Sequence, residues 1–231
     1  MPLYLTIEIF TIAIPLLLSF EKKVRFYKMW KSLFISVLIS AAFFIAADIL
    51  FVKLGVWGFN PKYLVGIYLL NLPLEEWLFF ILIPYSCLFI HYVLIIYFPN
   101  TSLSFGAVKI ISALIIFILL LTGGLNTGKL YTLIYSVLII LILLIALVSK
   151  IKVLNTFFLS FLVILLPFFI VNAILTGTFI DGEVVWYNNS EILGIRLLTV
   201  PVEDIGYAFS LILVNLLLME NFRKRFATSK I

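Results

Sequence analysis

The chain carries eleven acidic residues in 231, and four of them form two adjacent pairs. Pro73 leads into Glu75 and Glu76, and Pro201 leads into Glu203 and Asp204. Proline near the first helical position is a helix start signal. Acids in the first turn complement the helix dipole by about 0.3–1 kcal/mol. That role would explain one such pair; two pairs at matched positions, in a chain with few acids to place, point to chemistry. A carboxyl in an apolar pocket beside another carboxylate can hold a proton near neutral pH and donate it, while an ionised neighbour accepts one. Successive helical residues point about 100° apart, so one member of each pair can face a bundle interior. Glu75 and Glu203 are the expected inward groups, and one of the two is the expected proton donor. A partner among Glu76, Asp204 and Asp48 is expected to hold or accept that proton, and Glu8 falls at the same depth as Asp48.

The pairs belong to longer matching segments, residues 55–77 and 184–205. Gly66, Pro73 and Glu75 correspond to Gly194, Pro201 and Glu203 at a constant offset of 128, and Glu76 corresponds to Asp204. Trp57 matches Trp186 after a one-residue slip. Such repeats are a common way for membrane folds to grow.

What positions these groups is set by composition. Hydrophobic residues make up 65% of the chain and charged residues 12%, against about 45–50% and 25% in soluble domains. The chain therefore reads as an all-α integral membrane protein. Seven apolar runs of about the length of a bilayer crossing lie at 3–20, 32–52, 74–98, 106–122, 130–149, 153–176 and 200–219. Spans 1–3 correspond to spans 5–7, and one odd linker span returns the second half to the same orientation. The expected organisation is thus a first repeat at 1–98, a linker span within 99–129 and a second repeat at 130–231, as two parallel three-helix repeats.

The net charge of +5 is a topology signal and not a nucleic-acid footprint. Lys53, Lys62, Lys129 and Arg196 fall at one end. The other basic residues, including Lys22, Lys23, Arg25, Lys28, Lys31, Lys150 and Lys230, fall at the opposite end. The positive-inside rule then predicts a multi-pass protein of the cell membrane with its N-terminus outside and its C-terminus in the cytoplasm. Most of the acids lie on the outer half.

Other residues carry weaker signals. Trp57, Trp186 and Tyr187 suit either an interfacial belt or a cation-stabilising pocket wall. Asn60, Asn71, Asn172 and Asn188 suit helix caps or broken backbone, with Asn60 and Asn172 also candidates for the pocket. Arg196 suits a headgroup contact or a pair with a nearby acid. A single histidine, His91, excludes a multi-histidine metal centre, and it reads as a packed residue. No metal site and no cofactor are expected: the chain has no GxGxxG after a strand and no GxxxxGK[ST].

With these residues in view, the chain resembles the membrane lycopene cyclases of the heterodimeric type, in the form with both halves fused. The first half carries Asp48, Phe51, Gly55 to Asn60 and Leu72 to Phe80. The second carries Asn172 to Gly177, Tyr187-Asn188, Gly194 to Arg196 and Val200 to Asp204. Met219-Glu220 stands where that family's pattern has Tyr-Glu. The resemblance implies cofactor-free cyclisation of the ψ-ends of a linear carotenoid to β-rings, by an intramolecular lyase or isomerase. The implied partners are a lipophilic carotenoid and membrane lipid, with no nucleic acid and with homo-oligomerisation open. The main rival is a proton-coupled small-molecule transporter, which parallel repeats and carboxyls at one depth also suit. A retinal protein would want a lysine within span 7, and a prenyltransferase an Asp-rich diphosphate motif; neither is present.

Overall fold

The computed structural model describes residues 2–149 and 151–228; Lys150 and Lys230 lie outside them. Seven helices follow in order: α1 (Leu3–Leu18), α2 (Trp30–Lys53), α3 (Leu74–Tyr97), α4 (Phe105–Leu125), α5 (Leu130–Ser149), α6 (Ile151–Leu175) and α7 (Glu203–Thr228). Six are long and apolar enough to cross a membrane, which makes this a multi-pass membrane fold. The seventh apolar helix, α1, is shorter: its 16 residues measure about 24 Å at 1.5 Å per residue, against a hydrocarbon core of about 30 Å. The last span also shifts. Val200–Pro201 is a strand, and the helix begins at Glu203 and runs on to Thr228, because a proline that closes a hairpin delays the start.

Short strands decorate the carboxyl-bearing end: β1 (Trp57–Phe59), β2 (Tyr68–Leu69), β3 (Leu72–Pro73), β4 (Val185–Tyr187), β5 (Arg196–Leu197) and β6 (Val200–Pro201). β2–β3 and β5–β6 are hairpins immediately ahead of α3 and α7, while β1 and β4 pair with each other across the two halves. Because β1 follows α2 and β4 follows α6, both acidic pairs lie at the same end of the bundle.

The halves repeat to the hydrogen bond. Leu74 N donates to Ile67 O, and Val202 N to Ile195 O; Asn60 N donates to Val184 O, and Asn188 N to Val56 O. All four correspondences keep the 128 offset. α1 packs on α3 as α5 packs on α7, and α2 crosses to α7 as α6 crosses to α3. α3 and α7 meet at the centre, while α4 stands outside against α5 and α6.

The register of the central ribbon is Trp57↔Tyr187, Gly58↔Trp186 and Phe59↔Val185. Two equivalent strands paired antiparallel about their midpoints define a local two-fold axis through Gly58 and Trp186. This corrects the slipped match of the tryptophans: the counterpart of Trp186 is Gly58, and the indole of Trp186 lies where a Cβ on residue 58 would sit. At the opposite end, Glu220 accepts from Tyr92, its own repeat counterpart, at 2.6 Å. His91 is packed, with Nδ1 2.6 Å from Ser160 Oγ.

Gly66 (φ +88°) and Gly194 (φ +79°) take the left-handed turn into each hairpin. A Cβ there would meet open space, so only the backbone resists. Gly66→Ala and Gly194→Ala should each cost about 1–2 kcal/mol. Thermal unfolding in detergent should show two similar shifts; an effect at one position alone would contradict their equivalence.

Candidate active site

Each acidic pair splits between two jobs. Glu75 is fully buried, and its Oε1 accepts the Val65 backbone N–H at 2.6 Å. Glu203 Oε1 accepts the Leu193 N–H at 2.6 Å and the Thr132 hydroxyl at 2.7 Å. Val65 and Leu193 are again 128 apart. These glutamates fasten the preceding loop to the first helical turn. That corrects the expectation that Glu75 and Glu203 are the inward pair: the loop captures the first carboxyl, and the 100° step turns the second one to the centre.

Glu76 and Asp204 both line a central cavity together with Asp48, Trp57, Asn172 and Tyr187. Tyr4 donates to Glu76 Oε2 at 2.8 Å. Tyr131 donates to Asp204 Oδ1 at 2.8 Å, and Tyr187 to Asp204 Oδ2 at 3.0 Å. Asp48 lies within hydrogen-bonding range of Glu76. Both carboxyls are buried on the same cavity, close enough to interact. Removal from water, with the Asp204 carboxyl next in effect, pushes the Tyr187 hydroxyl well above the usual phenol range, so Tyr187 remains a donor.

Aromatic rings close the cavity. Trp57 is 5.0 Å from Tyr131 between ring centroids, and Tyr131 stacks on Tyr187 at 5.9 Å. The Tyr207 hydroxyl is buried there without a partner. The enclosed space is about 40 Å³, enough for a water molecule or two, so a larger guest must displace some of these side chains.

Three expected pocket residues lie elsewhere. Trp186 is on the outer side of the ribbon and 40% exposed. Asn60 accepts the Lys62 N–H at 3.1 Å as a turn cap. Arg196 bonds Thr199 O and Asn189 Oδ1 at 2.7 and 3.1 Å, and its guanidinium lies 5.9 Å from the Tyr187 ring centre, behind the tyrosine that faces Asp204. Sequence reasoning missed Tyr4, Tyr131 and Tyr207. Tyr4 and Tyr131 open the first helix of each half but sit 127 apart, which hides them from an alignment at 128. Glu8, one turn beyond Tyr4, is buried with neither oxygen partnered, in electrostatic range of Glu76 and Glu75. Among the described residues, no group of three or more His, Cys, Asp and Glu side chains is arranged to hold a metal ion.

The fastening role has a measurable consequence. Glu75→Ala removes this hydrogen bond and leaves the Val65 N–H without its acceptor, which should lower stability by about 1–3 kcal/mol. Glu75→Gln keeps an acceptor and should lose less. Melting of the purified variants in detergent checks the order, and equal melting of both with the wild type would remove the role.

Two comparisons bring no relative: none of the curated proteins and none of the solved structures matches this chain. The family model for lycopene cyclase matches residues 1–94 and 128–222. The gap between the matched regions holds α4, the helix without a counterpart, and the matched regions hold both carboxyl pairs and all six strands. A match over most of the chain, in two segments that coincide with the two structural halves, means that the protein belongs to the lycopene cyclase family.

Proposed function

We propose that this chain cyclises the ψ-end of a linear carotenoid by acid–base chemistry, with Glu76 and Asp48 on the acid side and Asp204 as the base. The observation that carries the assignment is the unequal surroundings of two equivalent carboxyls on one cavity. Glu76 shares the cavity with a second buried carboxyl, Asp48, and two like charges removed from water favour a pair that holds one proton. Asp204 instead accepts two phenolic O–H bonds, and charge-assisted bonds of this kind stabilise a carboxylate as the anion.

The reaction balances without an outside reagent. The Glu76–Asp48 pair transfers its proton to the terminal double bond, leaving a tertiary carbocation. The neighbouring double bond attacks that carbon, closing a six-membered ring and moving the charge onto the ring. Asp204 removes a ring proton, and the product is an isomer of the substrate. A proton returning from Asp204 to the acid pair resets the site. The faces of Trp57, Tyr131 and Tyr187 suit the intermediate cation, and cation–π contacts are worth about 2 kcal/mol or more once desolvated. The dry aromatic lining also keeps water from quenching it.

The test is expression in a lycopene-accumulating bacterium with pigment analysis at matched membrane protein levels. Wild type should convert linear pigment to β-ring product of unchanged mass. Glu76→Gln and Asp204→Asn should each cut conversion by about 10²–10⁴-fold, the usual value of a positioned acid or base. Wild-type pigment ratios in both variants would remove these residues from the chemistry.

A further inference from the structure

A second cavity opens beside the first. It measures about 570 Å³, within the roughly 300–1,000 Å³ typical of small-molecule sites. α4 supplies Ile111, Ile115, Leu119 and Thr122 along one wall, and Leu103 lies just ahead of that helix. From Leu103 to Thr122 is about 25–30 Å at 1.5 Å per helical residue, close to the thickness of the hydrocarbon core. The space is therefore a long narrow groove along the membrane normal. α6 supplies the opposite wall, with Phe158 and Leu162.

Polarity along the groove is graded. Thr122, Thr132, Ser136 and Glu203 gather at the carboxyl end, while the remainder is aliphatic and aromatic. No lysine or arginine lines it. A phospholipid would place its phosphate beside Glu203 without a cation to receive it, whereas an uncharged hydrocarbon meets no such penalty. The polar end also abuts the central cavity. Tyr135 lines the groove, and its ring lies 5.2 Å from Tyr207 and 5.0 Å from Tyr131; both of those line the carboxyl cavity. A layer of tyrosine rings, Tyr135 against Tyr131 and Tyr207, separates the two spaces. The first half has no counterpart of α4 and so cannot build a matching wall.

We infer that this groove holds the extended body of a linear polyene hydrocarbon while its end turns past Tyr135 into the carboxyl cavity. The inference rests on the cyclase reading for what happens at the end of the chain, but binding in the groove can be measured apart from turnover. One groove facing one cavity also means that a polyene presents one end at a time, and must leave and re-enter reversed for the other.

The probe is lycopene, added to the purified full-length protein in detergent, with retained pigment read by absorbance after size exclusion and product read separately. Ile115→Trp fills the middle of the groove far from the carboxyls, and Leu162→Trp fills it from a different helix. Each should lower both pigment retention and cyclisation by about tenfold or more, because extra volume in a filled slot is costly. Ile145→Trp, on an exposed face of α5 away from the groove, should change neither. If Ile115→Trp fails to fold, Leu162→Trp decides. Wild-type retention and turnover in the groove variants would overturn the inference while leaving the cyclase reading intact, and so would a co-purified phospholipid that excess lycopene cannot displace. Lycopene held by the wild type, lost in both variants and never cyclised would refute the cyclase reading and keep the groove.

Discussion

A carboxyl buried among apolar helices has no water to bind, so its donors must come from the chain itself. Here the donors for Glu75 and Glu203 are the amides of Val65 and Leu193, ten residues upstream. Each bond folds the intervening segment back as a hairpin over the helix start. It also fixes the rotation of that helix, because the captured side chain can point in only one direction. The next residue is then aimed at the bundle centre. Glu76 and Asp204 owe their placement to neighbours that themselves stay out of the cavity.

The same constraint explains the central ribbon. Loops at a membrane surface must satisfy their own backbone polar groups, and these two do so on each other. Asn60 N binds Val184 O while Asn188 N binds Val56 O, and β1 pairs with β4 between them. The cross-half contact holds Trp57 and Tyr187 against the cavity, so the aromatic walls and the carboxyls are set by one piece of backbone bonding.

Much of this architecture was legible in the residues. Hydropathy marked six helices to within a few positions and the start of α7, whose end runs on to Thr228, and the 128 offset announced two halves in the same orientation. The direction of each carboxyl was not legible. Two adjacent acids look alike in sequence, and which of them faces inward depends on where a distant loop amide lands. The ribbon register was hidden for a similar reason: Trp57 and Trp186 look like counterparts, yet the two-fold axis sets Trp186 opposite glycine. Tyr4 and Tyr131 escaped because equivalent phenols reach the cavity from positions one residue out of step.

Equivalent backbones carrying unequal side chains are what a proton-in, proton-out reaction requires. A perfectly symmetric site would present two identical carboxyls with identical affinities for the proton, and neither would be set apart as donor or acceptor. The sequence breaks that degeneracy at a few positions around a common frame. Asp48 in the first half stands where the second half has Thr176, which places a second carboxyl beside Glu76 and a hydroxyl in the corresponding place near Asp204. Tyr131 and Tyr187 then converge on Asp204, while Glu76 receives Tyr4 alone among the phenols. The unmatched α4 breaks the symmetry a second time, by walling a groove on one side only. The two halves supply two carboxyls at one depth, and the differences between their neighbours give them unequal surroundings.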